Sequence, residues 1–148
     1  MIIFAFLIVF FSTEIQAQNC RYSINVSNFV GMINTNVQSV QHNFSISRRR
    51  GGRNCRNFRA YFSKGNSGSY DRETKSGNQI VPYNIYKESS LVNILKDEPD
   101  ATSGEWIEGT LDNRNTNYNF NFFFKVIDLD SVFNHTASTY HGDQIQIR

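Results

Sequence analysis

Proline and cysteine are scarce in this chain, with two of each in 148 residues. Two cysteines are too few for a disulfide-dense miniprotein and too few to hold a tetrahedral metal alone. Nine glycines without a period exclude a collagen-like or linker composition. Charge is sparse as well. At 19% charged residues and a formal net charge of +2, the chain lacks the strongly basic balance of a specific nucleic-acid binder. Long apolar runs are missing except for Met1 to Phe11, which falls short of the ~20 residues that cross a bilayer as a helix. No nucleophile elbow, phosphate loop, HExxH or paired-cysteine metal motif occurs, so the expectation is a non-enzyme with no catalytic residue, metal or cofactor.

What is present is apolar surface. With 39% hydrophobic and 14% aromatic residues, the chain can bury a core, and its length suits one domain. The apolar start, the polar stretch Ser12 to Gln16 and the small Ala17 together read as a secretory signal over residues 1–17, although its first residues carry no Lys or Arg. A buried strand or an uncleaved anchor is the competing reading of the same run. Cleavage after Ala17 leaves a mature domain over 18–148, with no transmembrane segment. Both cysteines, Cys20 and Cys55, fall in that exported part, and an oxidising compartment favours one disulfide between them. Closing that loop contributes roughly 4 kcal/mol on a chain-entropy account. Free or metal-binding thiols are the alternative.

Past Cys20 the pattern has period two and is punctuated by turns, as in an all-β sandwich or barrel. Tyr22, Ile24 and Val26 alternate with polar residues; so do Phe44 and Ile46, and Phe58, Ala60 and Phe62. Ile80 to Tyr86, Leu91 to Leu95 and Trp106 to Leu111 are further candidate strands. The plainest is Asn117 to Ile127, where Tyr118, Phe120, Phe122, Phe124 and Val126 fill alternate positions. Phe123 and Ile127 on its other face predict a far end covered on both sides. Ile145 and Ile147 alternate with glutamines in a closing edge strand. The total is seven or eight strands in one sandwich.

Two clusters invite a chemical reading. His135, His141 and Asp143 are close in sequence, but their spacing fits no ligand pattern, and a polar loop explains them as well. Arg48, Arg49, Arg50, Arg53, Arg56 and Arg59 place six cations in twelve residues around Gly51-Gly52, with no acid among them. That is a candidate patch for an anionic surface or polysaccharide, against the plainer reading of a solvated loop. An acidic segment (Asp97, Glu98, Asp100, Glu105, Glu108, Asp112) could draw identical subunits head to tail if it lay at the other end of the fold. The sequons at Asn25, Asn43 and Asn134 matter only in a eukaryotic secretory pathway.

The stretch Cys55-Arg-Asn-Phe-Arg-Ala-Tyr-Phe-Ser-Lys-Gly-Asn-Ser-Gly-Ser-Tyr-Asp-Arg72 resembles the spore coat protein U domain family, which includes pilins of archaic chaperone-usher pili. Gly77-Asn-Gln-Ile-Val-Pro-Tyr-Asn-Ile-Tyr86 and the closing Tyr140-His-Gly-Asp143 are similar to further motifs of that family. The resemblance implies an immunoglobulin-like β-sandwich which, in pilin members, has an incomplete sheet edge. It implies as partners a periplasmic chaperone, an usher and neighbouring pilin subunits. Localisation would be secreted: periplasm, cell surface or pilus. Three features depart from the pattern. Only Gln18 and Asn19 precede Cys20, too little to donate a strand; one extra residue separates Tyr140 from Asp143; and the Arg-rich insertion precedes Cys55. A domain that accepts a strand and cannot donate one would terminate a fibre. The alternative function is a free-standing extracellular domain holding an anionic polymer on its arginines.

Overall fold

A computed structural model of the chain describes residues 4–12, 14–17, 20–27, 29–33, 39–50, 56–76, 78–111, 117–128 and 140–147. Among these residues eleven strands are formed: β1 (Phe4–Ser12), β2 (Glu14–Ala17), β3 (Cys20–Val26), β4 (Phe29–Ile33), β5 (Ser39–Arg50), β6 (Asn57–Ala60), β7 (Arg72–Ser76), β8 (Gln79–Tyr86), β9 (Ile107–Thr110), β10 (Asn117–Val126) and β11 (Tyr140–Ile147). The only helical turn among the described residues is a short 3-10 turn, Gly65–Ser67. The all-β expectation holds, and the arrangement is compatible with a β-sandwich. Nine strands make one sheet in the order β2-β3-β5-β10-β8-β7-β11-β1-β4, while β6 and β9 pair separately. The large sheet curls until β1 lies against β3 and β4 against β5. Curling makes two layers from one sheet and gives the apolar faces something to cover.

Alternation decides which residues go inside. On β10, Phe122, Phe124 and Val126 are buried; on β5, Phe44 and Ile46; on β8, Val81, Tyr83 and Ile85; on β11, Ile145 and Ile147. Phe62 joins them from beyond β6, its ring 5.3 Å from that of Phe122 and 5.9 Å from that of Phe44, edge-on to both. Each such ring contributes roughly 1.5–3 kcal/mol by leaving water.

Several expectations are corrected. Eleven strands occur among the described residues instead of seven or eight, because Phe4–Ser12 and Glu14–Ala17 are folded into the sheet as β1 and β2 and because β4 and β7 carry weak patterns. The run Leu91 to Leu95 is no strand. Only Ile94 bridges, to Tyr86, while the Glu88 carboxylate takes the N–H groups of Val92 (3.2 Å) and Asn93 (2.7 Å) that a ladder would use. A left-handed Leu91, φ 58°, turns the chain there. The far end of β10 is not covered on both sides: Phe123 is half-buried and Ile127 is 49% exposed.

Candidate functional site

The residues that carry chemistry gather around the last strand. β11 rests on a buried polar anchor. Arg72, at the start of β7, is 0% exposed. Its guanidinium donates from Nη2 to the carbonyls of Leu95 (2.7 Å) and Ser63 (2.9 Å), from Nε to Ser63 (3.1 Å), and from Nη1 to Asn84 Oδ1 (2.9 Å). One side chain thus ties β7 to β8, to the turn after β6 and to the Leu95 segment. Arginine suits the position because its planar fork aims several donors at once. Burial lowers its pKa from the ordinary value, an effect opposed by the neighbouring Tyr83, Tyr70 and Asp143.

Asp143 of β11 is the second half of the anchor. Its Oδ2 accepts from the Tyr83 hydroxyl at 2.6 Å, and its Oδ1 from the backbone N–H groups of Asn66 (2.8 Å) and Gln144 (2.7 Å). Burial pushes the Tyr83 phenol well above its usual value, and the Asp143 charge and hydrogen bond add to that. Gly65 stands at φ +69°, where a Cβ would collide with the Asp143 carboxylate. The turn therefore needs glycine for conformation and for space. The Arg72 guanidinium, the Tyr83 hydroxyl and the Asp143 carboxylate are all engaged with protein groups, and the cluster positions β11. Of the candidate trio His135, His141 and Asp143, only the Asp143 side chain is described. Asp143 is committed to Tyr83 and two backbone amides, while His135 and the His141 side chain lie outside the described residues. No group of three metal-ligating side chains occurs among the described residues.

Beside the anchor a cleft of about 360 Å³ opens, lined by Lys64, Asn66, Asp97, Asp100, Gln144 and Gln146. Lys64 Nζ lies 2.7 Å from Asp100 Oδ2, and Tyr70 donates to the same oxygen at 3.0 Å. That contact raises the Lys64 pKa and lowers that of Asp100. Both groups are solvated, so the pair is weak in salt.

The closing strand itself differs from expectation. Ile145 and Ile147 are buried, as a core-facing edge strand requires, but β11 is not an edge here. On one side it meets β7 at Gly142↔Lys75, then Ser63, whose N–H donates to the Gln146 carbonyl at 2.9 Å. On the other side β1 runs parallel to it in an unbroken register from Ala5↔Tyr140 to Ser12↔Ile147. β1 in turn pairs antiparallel with β4, from Phe4↔Ile33 to Ile8↔Phe29. The described sheet ends at β2 and β4. The segment that reads as a leader thus fills a slot between β11 and β4.

The arginines are dispersed. Arg48, Arg49 and Arg50 continue β5 instead of forming a loop, and Arg53 lies outside the described residues. Arg59, on β6, stacks 4.5 Å over the Trp106 ring and sits 3.7 Å from Glu108 on β9. The basic and acidic segments therefore adjoin across Arg59↔Glu108, so the condition for head-to-tail attraction, patches at opposite ends, is not met at this pair. Arg48 Nη1 and Arg56 Nε are buried without a hydrogen-bond partner. The Cys20–Cys55 pairing falls on Cys55, which lies outside the described residues.

Sequence reading missed Arg72, Tyr83 and Asn84 as a unit. A charged residue that opens a strand two positions before another core-facing residue, Thr74, was the available signal. Compared with known proteins, the chain matches no family model and no curated sequence. No helix among the described residues is long and apolar enough to cross a membrane.

Proposed function

We propose that this chain is an exported structural domain of the spore coat U and pilin type, which joins a surface or pilus assembly by accepting a β-strand. The observation that supports this reading most is the slot between β11 and β4. Cleavage after Ala17 would remove both β1 and β2, leaving one side of β11 unpaired and β4 without its described sheet partner. Open edges next to apolar surface aggregate until another strand occupies them, and strand addition supplies backbone hydrogen bonds and side-chain anchors together. A chaperone would cover the slot first and a neighbouring subunit afterwards. With only Gln18 and Asn19 before Cys20, the mature chain accepts a strand without donating one, which suits the end of a fibre. A Cys20–Cys55 bridge would staple the opposite side. The pairing Arg21↔Arg50 sets Cys20 beside the end of β5, and Cys55 follows Arg50 by five residues.

The test uses the chain from Gln18 onward, refolded alone and with a synthetic apolar strand peptide. The expected result is aggregation or a broad melt alone, and a soluble complex with a cooperative melt once the peptide is present. A peptide-free monomer that melts cooperatively would overturn the proposal.

The orphaned nitrogens of Arg48 and Arg56 favour a second reading, an extracellular domain that holds an anionic polysaccharide. A guanidinium nitrogen without a partner is costly, and because both residues are half-exposed an anion held by the rest of each guanidinium would offset that cost. Replacing Arg48, Arg49 and Arg50 by Ser should then abolish retention on dextran sulfate while leaving strand acceptance intact. Unchanged retention would exclude it.

A further inference from the structure

We propose that the cleft beside Asp100 and the aromatic pair Tyr61 and Trp106 form one groove that binds a linear, uncharged oligosaccharide. This goes beyond strand acceptance and draws on neither β1 nor β2. The two features are continuous along one piece of chain. Phe62 is buried, bridges Ile147 on one side and donates its N–H to the Lys96 carbonyl (3.0 Å) on the other. Its neighbours Tyr61 and Ser63 therefore share the opposite, outer face. Ser63 lines the cleft, and the Tyr61 ring lies 6.1 Å from that of Trp106. Further along the same face, Arg59 and Asn57 of β6 stand opposite Glu108 and Thr110 of β9. Outward side chains thus run in a line from the cleft, past the two rings, to a row of hydrogen-bonding groups.

The lining selects the ligand class. Each cation of this stretch lies beside a carboxylate: Lys64 Nζ is 2.7 Å from Asp100, Lys96 Nζ 2.6 Å from Glu105 and Arg59 Nε 3.7 Å from Glu108. With the charges paired off, neither a polyanion nor a polycation is favoured. Such a surface offers donors and acceptors side by side, and the amides of Asn66, Gln144 and Gln146 at the cleft add more of both. A sugar hydroxyl donates and accepts at once, so the mixture suits it. The tyrosine and tryptophan rings present flat apolar faces for the C–H surfaces of the sugar ring. The cleft volume of about 360 Å³ falls in the range of small-ligand sites, roughly 300–1,000 Å³. The parts are also fixed in advance. The Trp106 indole donates to Glu108 (2.9 Å) and carries Arg59 stacked at 4.5 Å, while the Tyr70 hydroxyl donates to Asp100 (3.0 Å) and accepts from the Asp97 N–H (2.8 Å). Groups held in place lose less freedom when a ligand binds.

Trp106 is the only tryptophan of the chain, so its fluorescence reads this site directly. The full chain 1–148 is titrated with cellohexaose, chitohexaose and maltohexaose, and separately with dextran sulfate. At least one neutral sugar should shift the emission to saturation, equally in low and high salt. Tyr61→Ala should weaken that binding about tenfold, while Tyr61→Phe, which keeps the ring, should stay within about twofold of the parent. Gln144→Ala removes an exposed amide at the polar end of the groove; by calorimetry it should cost about threefold in affinity and leave the melt unchanged. If Tyr61→Ala does not fold, the Gln144→Ala affinity decides. No response to any neutral sugar, a response to dextran sulfate alone, or an affinity unchanged by Tyr61→Ala or by Gln144→Ala would overturn the proposal. None of these outcomes bears on strand acceptance, which is read with strand peptides.

Discussion

Arg72 gives the account its most quantitative handle. Replacing it by Met keeps the length and removes the charge together with every donor it aims at Leu95, Ser63 and Asn84. Exchanging a buried ion for an apolar residue can be neutral when its partners are exchanged too. Here most partners are backbone carbonyls that no mutation removes, so R72M leaves them buried and unsatisfied. Hydrogen bonds from a charged donor are worth about 1.5–3 kcal/mol each, without full additivity, and stripping one member of a buried charged network costs about 3–5 kcal/mol. Against a total stability of roughly 5–15 kcal/mol, that is a large share. R72K retains the charge but cannot reach Leu95 and Asn84 together, and should lose about 2 kcal/mol. The control is R59A, since Arg59 is 56% exposed; it should lose less than about 1 kcal/mol despite its stacking on Trp106. Urea unfolding of the full chain followed by tryptophan fluorescence reads all three. An R72M stability within about 1 kcal/mol of the parent would refute the anchor.

The remaining predictions concern the same anchor. Gly68 is left-handed at φ +74° with nothing near its missing Cβ, so G68A should cost only the conformational penalty, about 1 kcal/mol. G65A should lose at least about 1 kcal/mol more, because the new methyl displaces the Asp143 carboxylate from its partners; equal losses in urea titrations would contradict this. Tyr83 has a folded pKa raised well above 10.0, so above pH 10 the unfolded state releases a proton that the folded state keeps. Stability is therefore fully present below about pH 10 and is lost as pH rises toward the folded value, by up to about 1.4 kcal/mol per pH unit. In Y83F the urea midpoint should fall less steeply between pH 10 and 11 than in the parent; parallel curves would assign the alkaline loss elsewhere.

Much of the fold was legible because its strands obey period two. Phe122, Phe124 and Val126, or Ile145 and Ile147, could be placed inside from alternation alone, and they are inside. What escaped was set by pairing at a distance. β7 reads Arg-Glu-Thr-Lys-Ser and looks like a solvated turn, yet Arg72 and Thr74 are buried because β8 and β11 flank them. The opening apolar run carries the same residues whether it serves as a leader or a strand, and only the partners β11 and β4 distinguish the two. Leu91 to Leu95 failed for a local reason, the capture of the Val92 and Asn93 amides by the Glu88 carboxylate. At the candidate site, Asp143 was singled out, but for a metal or catalytic role; its partners come from Tyr83 and Asn66, far away in sequence. The arginine run was visible as charge, while its division between β5 and β6 depended on folding.

Amide hydrogen exchange on the chain from Gln18, with and without a bound strand peptide, tests most directly whether the seam between β11 and β4 is the working edge of this molecule. Without the peptide, amides of Tyr140–Ile147 and Phe29–Ile33 should exchange fastest, ahead of those of β5 and β10, and the peptide should slow those two segments most. Protection of β11 and β4 equal to that of β5 in the peptide-free chain would contradict the account.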